Sequence, residues 1–184
     1  MADNRESTSP ILFLGISKTY LQAFEIIWEA RFANTHRFRW DLATLLHPVS
    51  HLLGVSLETA LKGLLSCRSG NVPRTHNLMD LLRKVSDSDI LSSLDTELVE
   101  LPVPPDLFEV NPEASPAEIE GFYRRHHFHF DMLNAVYDRP YATRYPVLGG
   151  PALPDAIALH RLIRVLQERL SLDASRWRRG SQPR

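Results

Sequence analysis

Residues Leu52–Leu65 read LLGVSLETALKGLL. Together with Val49 they place Leu53, Leu57, Leu61 and Leu64 nearly one turn apart, the stripe of an amphipathic helix that buries one side. Pro48 fits the first turn of that helix, where a missing N–H costs nothing. Glu58 and Lys62 lie four apart in the favourable acid-before-base order. As a surface pair they are worth only about 0.3–0.5 kcal/mol. Gly70 and Pro73 close the helix and open a turn.

The flanking sequence carries the same 3.6-residue period. Ile16 to about Phe32 repeats Tyr20, Ala23, Phe24, Ile27 and Trp28 at three- and four-residue steps. Asn34–Asp41 is polar and reads as a loop. Asn77 caps a short helix faced by Leu78, Leu81, Leu82 and Val85, and Ser86–Glu100 continues as another helix. Leu101–Ser115 holds four prolines and reads as a stiff connector. Ser115-Pro116-Ala117-Glu118 opens a helix with a capping box, and that helix is expected to run to about Tyr137. Pro154 starts the last one, with Ile157, Leu159, Leu162, Ile163, Leu166 and Leu170 on its face. No segment alternates as a strand does. The expected class is all-α, a bundle of four to five helices. The expected layout is a disordered leader at 1–10, one helical domain at 11–172 and a basic tail at 173–184.

Composition narrows the function classes. The chain has 184 residues, 43% hydrophobic and 23% charged, with a net charge of −1. That is the profile of a soluble globular domain, with no global imbalance to mark a nucleic-acid or membrane binder. One cysteine, Cys67, excludes an internal disulfide. Charge is uneven, however: residues 117–184 carry 11 basic and 7 acidic groups, and arginine outnumbers lysine 18 to 3 overall. The longest apolar run near the start is Ile11–Leu14, far short of a membrane span. A cytoplasmic location without membrane contact is the default expectation.

Three ordered stretches carry a family likeness: Leu52–Leu65; Pro73-Arg74-Thr75-His76-Asn77-Leu78 with Leu81 and Leu82; and Leu133-Asn134-Ala135-Val136-Tyr137 followed by Tyr141-Ala142-Thr143-Arg144-Tyr145-Pro146. Together they resemble the HEPN superfamily, whose members show an E-x-x-x-K helix, a tH-x-L turn and a late RYP. Here these are Glu58/Lys62, Thr75-His76-Asn77-Leu78 and Arg144-Tyr145-Pro146. The resemblance implies a helical bundle, usually a homodimer, that binds nucleotide or RNA. It also implies partners such as a nucleotidyltransferase or an antitoxin, in toxin–antitoxin or defence systems. On this reading Glu58, Lys62, His76, Arg144 and Tyr145 form a nucleotide- or phosphate-binding site. A structural protein-interaction domain is the alternative from another class.

The other alternative is a metal-independent endoribonuclease, because some members use an arginine and a histidine four to six residues apart. Arg124 and His129 meet that spacing. Histidine can move the 2′-OH proton and arginine can hold the phosphate. On an unbroken helix the two stand about 140° apart, so they converge only across an interruption or with a second copy. His126, His127, His129 and Asp131 offer one-turn ligand pairs, with His47 or His51 as further ligands. Solvent-facing helix histidines explain them more simply, and no metal or cofactor is assigned. Arg176-Trp177-Arg178-Arg179 mixes cations with an aromatic; contact with RNA and a plain exposed tail are both open.

Overall fold

The leucine stripe lies on the second of seven helices in the computed structural model, counted among the described residues 9–31, 40–104, 114–137 and 155–180. They are α1 (Pro10–Arg31), α2 (Trp40–Ser69), α3 (Leu78–Val85), α4 (Ser88–Leu98), α5 (Pro116–Tyr123), α6 (His126–Tyr137) and α7 (Ala156–Gly180). The fold is all-α, with no strand among the described residues. Seven helices replace the expected four to five, because shorter elements break where the periodicity alone shows no break.

Helix α2 is the hub, packed against α1, α7, α3 and α6. Val49, Leu53, Leu57, Leu61 and Leu64 are all buried, as their spacing demands. They join Leu78, Leu81 and Leu82 of α3, Leu94 and Leu98 of α4, Phe130 and Leu133 of α6, and the inner face of α7 in one core. Gly63 permits a close approach: a Cβ there would lie 2.5 Å from Leu170 Cδ2 and 3.0 Å from Phe13 Cβ. A polar node crosses the same interface. Ser17 Oγ donates to the Ser56 carbonyl and Ser56 Oγ donates to the Ser17 carbonyl, each at 2.8 Å. Gln167 Nε2 donates to Ser17 Oγ at 2.9 Å. All three residues are buried, and the node fixes α1, α2 and α7 in register because an unpaired polar group there would be costly.

Several boundaries differ from expectation for local reasons. Helix α1 begins at Pro10 rather than Ile16. Its length and mean hydropathy of 1.2 also suffice for a membrane span, while Phe13, Ser17, Leu21 and Phe24 are buried within the bundle. Pro48 lies inside α2, eight residues past its start, not in the first turn. It is exposed, so water can bond the carbonyl that its ring frees one turn back. Ser86, with φ of 33°, ends α3, and Asp87 caps α4 by accepting from the Asp89 and Ile90 N–H groups. The Ser115–Glu118 capping box is present, but its helix stops at Tyr123. Helix α7 continues through Asp173 to Gly180, so most of the expected basic tail is helical.

Candidate functional site

Glu58 and Lys62 are expected on a solvated flank, yet both are buried in the fold, 6% and 8% exposed. The reason is tertiary. Helix α6 and the turn before α3 cover that side of α2 and bring polar groups with them. Glu58 Oε1 accepts from Lys62 Nζ at 2.7 Å and from His76 Nδ1 at 3.1 Å. Its Oε2 accepts from the Tyr137 hydroxyl at 2.5 Å and from the same His76 nitrogen at 3.1 Å. An ionised carboxylate only accepts, so Nδ1 carries the imidazole proton.

Each partner has a local cause. Tyr137 lies across α2 because residue 54 is glycine; a Cβ there would sit 2.2 Å from the ring. The turn holding His76 is pinned at both ends. Thr75 Oγ1 accepts from the Asn77 N–H at 3.0 Å, and Asn77 Oδ1 accepts from the Asp80 N–H at 2.9 Å. Asn134 Oδ1 of α6 takes the Leu78 N–H at 2.7 Å, satisfying a donor in the first turn of α3. Within this frame the His76 side chain is 70% exposed while its carboxylate partner is buried.

Electrostatics follow from the contacts. Burial pushes the Glu58 carboxyl up, but hydrogen bonds from Lys62, Tyr137 and His76 and the Lys62 charge outweigh it and hold it below the usual range. Burial, then the Glu58 carboxylate, pushes the Tyr137 phenol well above its usual value. At neutral pH the Glu58 carboxyl is therefore ionised and the Tyr137 phenol neutral. Glu58 already holds all these donors. Among the described residues Lys62 makes one hydrogen bond with its three donors, and His76 Nε2 makes none. The free donors of Lys62 suit an anion, and the open Nε2 of His76 joins them as a donor only when the ring is protonated.

The structure brings together Glu58, Lys62 and His76. Arg144 and Tyr145 lie outside the described residues, as does Tyr141. Tyr137 and Asn134 complete the cluster without having been assigned to it. Their one signal is that they sit in the stretch that carries the family likeness.

Arg124 and His129 have other work. The chain does break between α5 and α6, as their convergence requires. Arg124 Nη1 turns to the end of α4 and the segment that follows it, donating to the Leu98 and Leu101 carbonyls at 2.6 Å each, and Nη2 donates to Glu120 at 3.0 Å. His129 is fully buried, its Nε2 bonded to the Tyr123 carbonyl at 2.8 Å. Burial holds its imidazole below the usual pKa. Its neighbour His126 is 3% exposed and donates from Nδ1 to Asp95 at 2.6 Å. Burial, partly offset by Asp95, lowers that imidazole too. Asp95 also accepts from the His126 N–H and from Arg125, so α4 caps α6. In this arrangement Arg124 is held by two carbonyls and Glu120, and His129 is buried against the Tyr123 carbonyl.

Among the described residues no three His, Cys, Asp or Glu side chains gather as a metal site. Cys67 has its thiol pushed up to about 11 by burial, and a thiol at that value is protonated and a poor nucleophile. Compared with known proteins, the chain matches no family model, no curated protein and no solved structure.

Proposed function

We propose that this chain is a HEPN-like helical module that binds nucleotide or RNA through the Glu58–Lys62–His76–Tyr137 cluster, or presents that cluster to a nucleic-acid-acting partner. One observation carries the reading. A buried carboxylate holds Lys62 and His76 side by side, and the outer one, His76, stands open to solvent with an Nε2 that donates to a phosphate when the ring is protonated. A phosphate needs such donors held in place beforehand, because ordering them on binding costs affinity. Arg144 and Tyr145 belong to the same proposal through the family likeness, as phosphate clamp and base or ribose contact. A homodimer in the cytoplasm, with a nucleotidyltransferase or antitoxin as neighbour, is the setting the likeness implies.

The test is an equilibrium titration of wild type, His76→Ala and Arg144→Ala with ATP, GTP and a 12-nucleotide oligo(U) RNA. The proposal expects at least one probe to bind and each variant to weaken it about tenfold, a change of about 1.4 kcal/mol. Absence of binding by all three probes, or equal affinity across the three proteins, would remove the proposal.

A further inference from the structure

At the opposite end of α3 from His76 a second polar feature lies where α2, the start of α4 and α7 meet. Because α7 continues past Asp173, Arg176 and Trp177 are carried on a rigid helix. They line a cleft of about 460 Å³ with Cys67, Arg68, Asp87 and Arg169, floored by Asp173. Two carboxylates hold the guanidinium groups apart. Asp87 takes Arg68 at 2.5 Å and stands 3.7 Å from Arg169. Asp173 stands 3.4 Å from Arg169 and 3.8 Å from Arg176. Asp87 is fixed in turn by the Ile90 and Asp89 N–H groups at the start of α4.

The contacts differ in kind. The Arg68 pair is close, and Arg68 also donates to the Val85 carbonyl at 2.7 Å, so this arginine is structural. Arg169 Nε donates a long hydrogen bond to Asp173 at 3.4 Å, and Arg176 stands 3.8 Å from the same carboxylate. Arg176 is 70% exposed. Both keep donors for an incoming anion. Three cations face two anions in the lining, and Arg178 and Arg179 follow at once in sequence. Trp177 is half-buried at the wall and has no aromatic partner among the described residues.

We propose that this cleft seats one nucleotide of a single-stranded nucleic acid, with the phosphate on the solvent-facing donors of Arg176 and the base stacked on Trp177. Single-strand binders combine these two elements, a cationic groove for the backbone and an aromatic face for the bases. The inference does not depend on the Glu58 cluster.

The experiment follows fluorescence anisotropy of labelled 12-nucleotide oligo(U) RNA and oligo(dT) DNA, titrated with the full chain at several salt concentrations. The variants are Trp177→Leu, Trp177→Phe and Arg176→Gln, each checked for wild-type helical circular dichroism and repeated with His76→Ala. That background separates a failure at the Glu58 cluster from a failure here. Trp177→Leu is expected to weaken binding about five- to a hundredfold, with Trp177→Phe retaining most of it. Arg176→Gln is expected to flatten the slope of log affinity against log salt by about 0.7. Equal affinity of Trp177→Leu and wild type, or an unchanged salt slope, overturns the proposal. Capture by phosphatidylserine vesicles with no oligonucleotide bound overturns it as well.

Discussion

Two regions of this bundle use the same residue types to opposite ends. Around Glu58 a carboxylate is buried and its histidine faces water. At the α5–α6 corner the histidines are buried, and Asp95, which holds His126, is the more open partner. The difference comes from where each histidine sits in the chain. His76 lies in a turn ahead of a helix, so its ring can lean on α2 while the rest stays exposed. His126 and His129 lie on the inner face of a short helix, one turn apart, and the core takes both rings. A carboxylate–histidine contact alone therefore does not make a site. What distinguishes one is which partner keeps a free nitrogen on the surface.

The sharpest way to break the contrast is to remove the buried carboxylate. Glu58→Leu leaves Lys62 charged and unpaired in the bundle, and urea unfolding is expected to show a loss of about 3–5 kcal/mol. That is far above the value for an exposed helical pair, which would be the outcome if the pair were solvated. Next, Arg124→Ala strips two carbonyls at the end of α4 of their shared cation. A loss of about 1.5–3 kcal/mol is expected by the same measurement. Gly54→Ala then tests the packing that sets Tyr137 on Glu58. Its methyl group must displace the ring, costing about 1–3 kcal/mol. Ultraviolet titration of the phenol should show its pKa falling toward about 10 as it leaves the carboxylate.

Acid should unload the two regions at different pH. His126 and His129 have folded pKa values below the ordinary histidine value. Below about pH 6.5 the unfolded chain takes up protons that the buried rings refuse, so stability contributed by this corner falls first. Glu58 is depressed from the carboxylate value, so its share persists above about pH 4.3 and is lost as pH falls through the folded value. Urea midpoints measured from pH 8 to 3.5 should decline in these two stages, and His126→Asn should reduce the upper one. A single decline confined below pH 4.5 would show that the buried histidines do not carry it.

Much of the fold is legible in sequence because it follows from local rules. The α2 stripe, the Asn77 cap, the Ser115–Glu118 box and the apolar face of α7 each rest on residues within a turn or two. What escaped depends on distant partners. The break after Tyr123 is held by Arg124 reaching α4, and α6 is capped by Asp95, about thirty residues away. Neither has a local signature. The site is legible to the same extent. Spacing pairs Glu58 with Lys62 and the turn chemistry isolates His76, but that α6 would roof them with Tyr137 is a tertiary fact. Burial of the pair, and so its energetic weight, could not be read from an E-x-x-x-K step. The Arg124–His129 spacing shows the converse: a spacing met in sequence says nothing of the carbonyls and burial that surround the two side chains.

Stability and affinity, measured together on two variants, separate the regions. Thermal unfolding and ATP and oligo(U) titration are run on His76→Ala and Arg124→Ala at pH 7.5, with the folded fraction set equal. His76 is exposed, so its alanine variant should stay within about 1 kcal/mol of wild type in stability and lose about tenfold in affinity. Arg124→Ala should melt earlier and bind as wild type does. The reverse pattern, in which Arg124→Ala loses the ligand and His76→Ala keeps it, would contradict the assignment of the site to Glu58, Lys62, His76 and Tyr137.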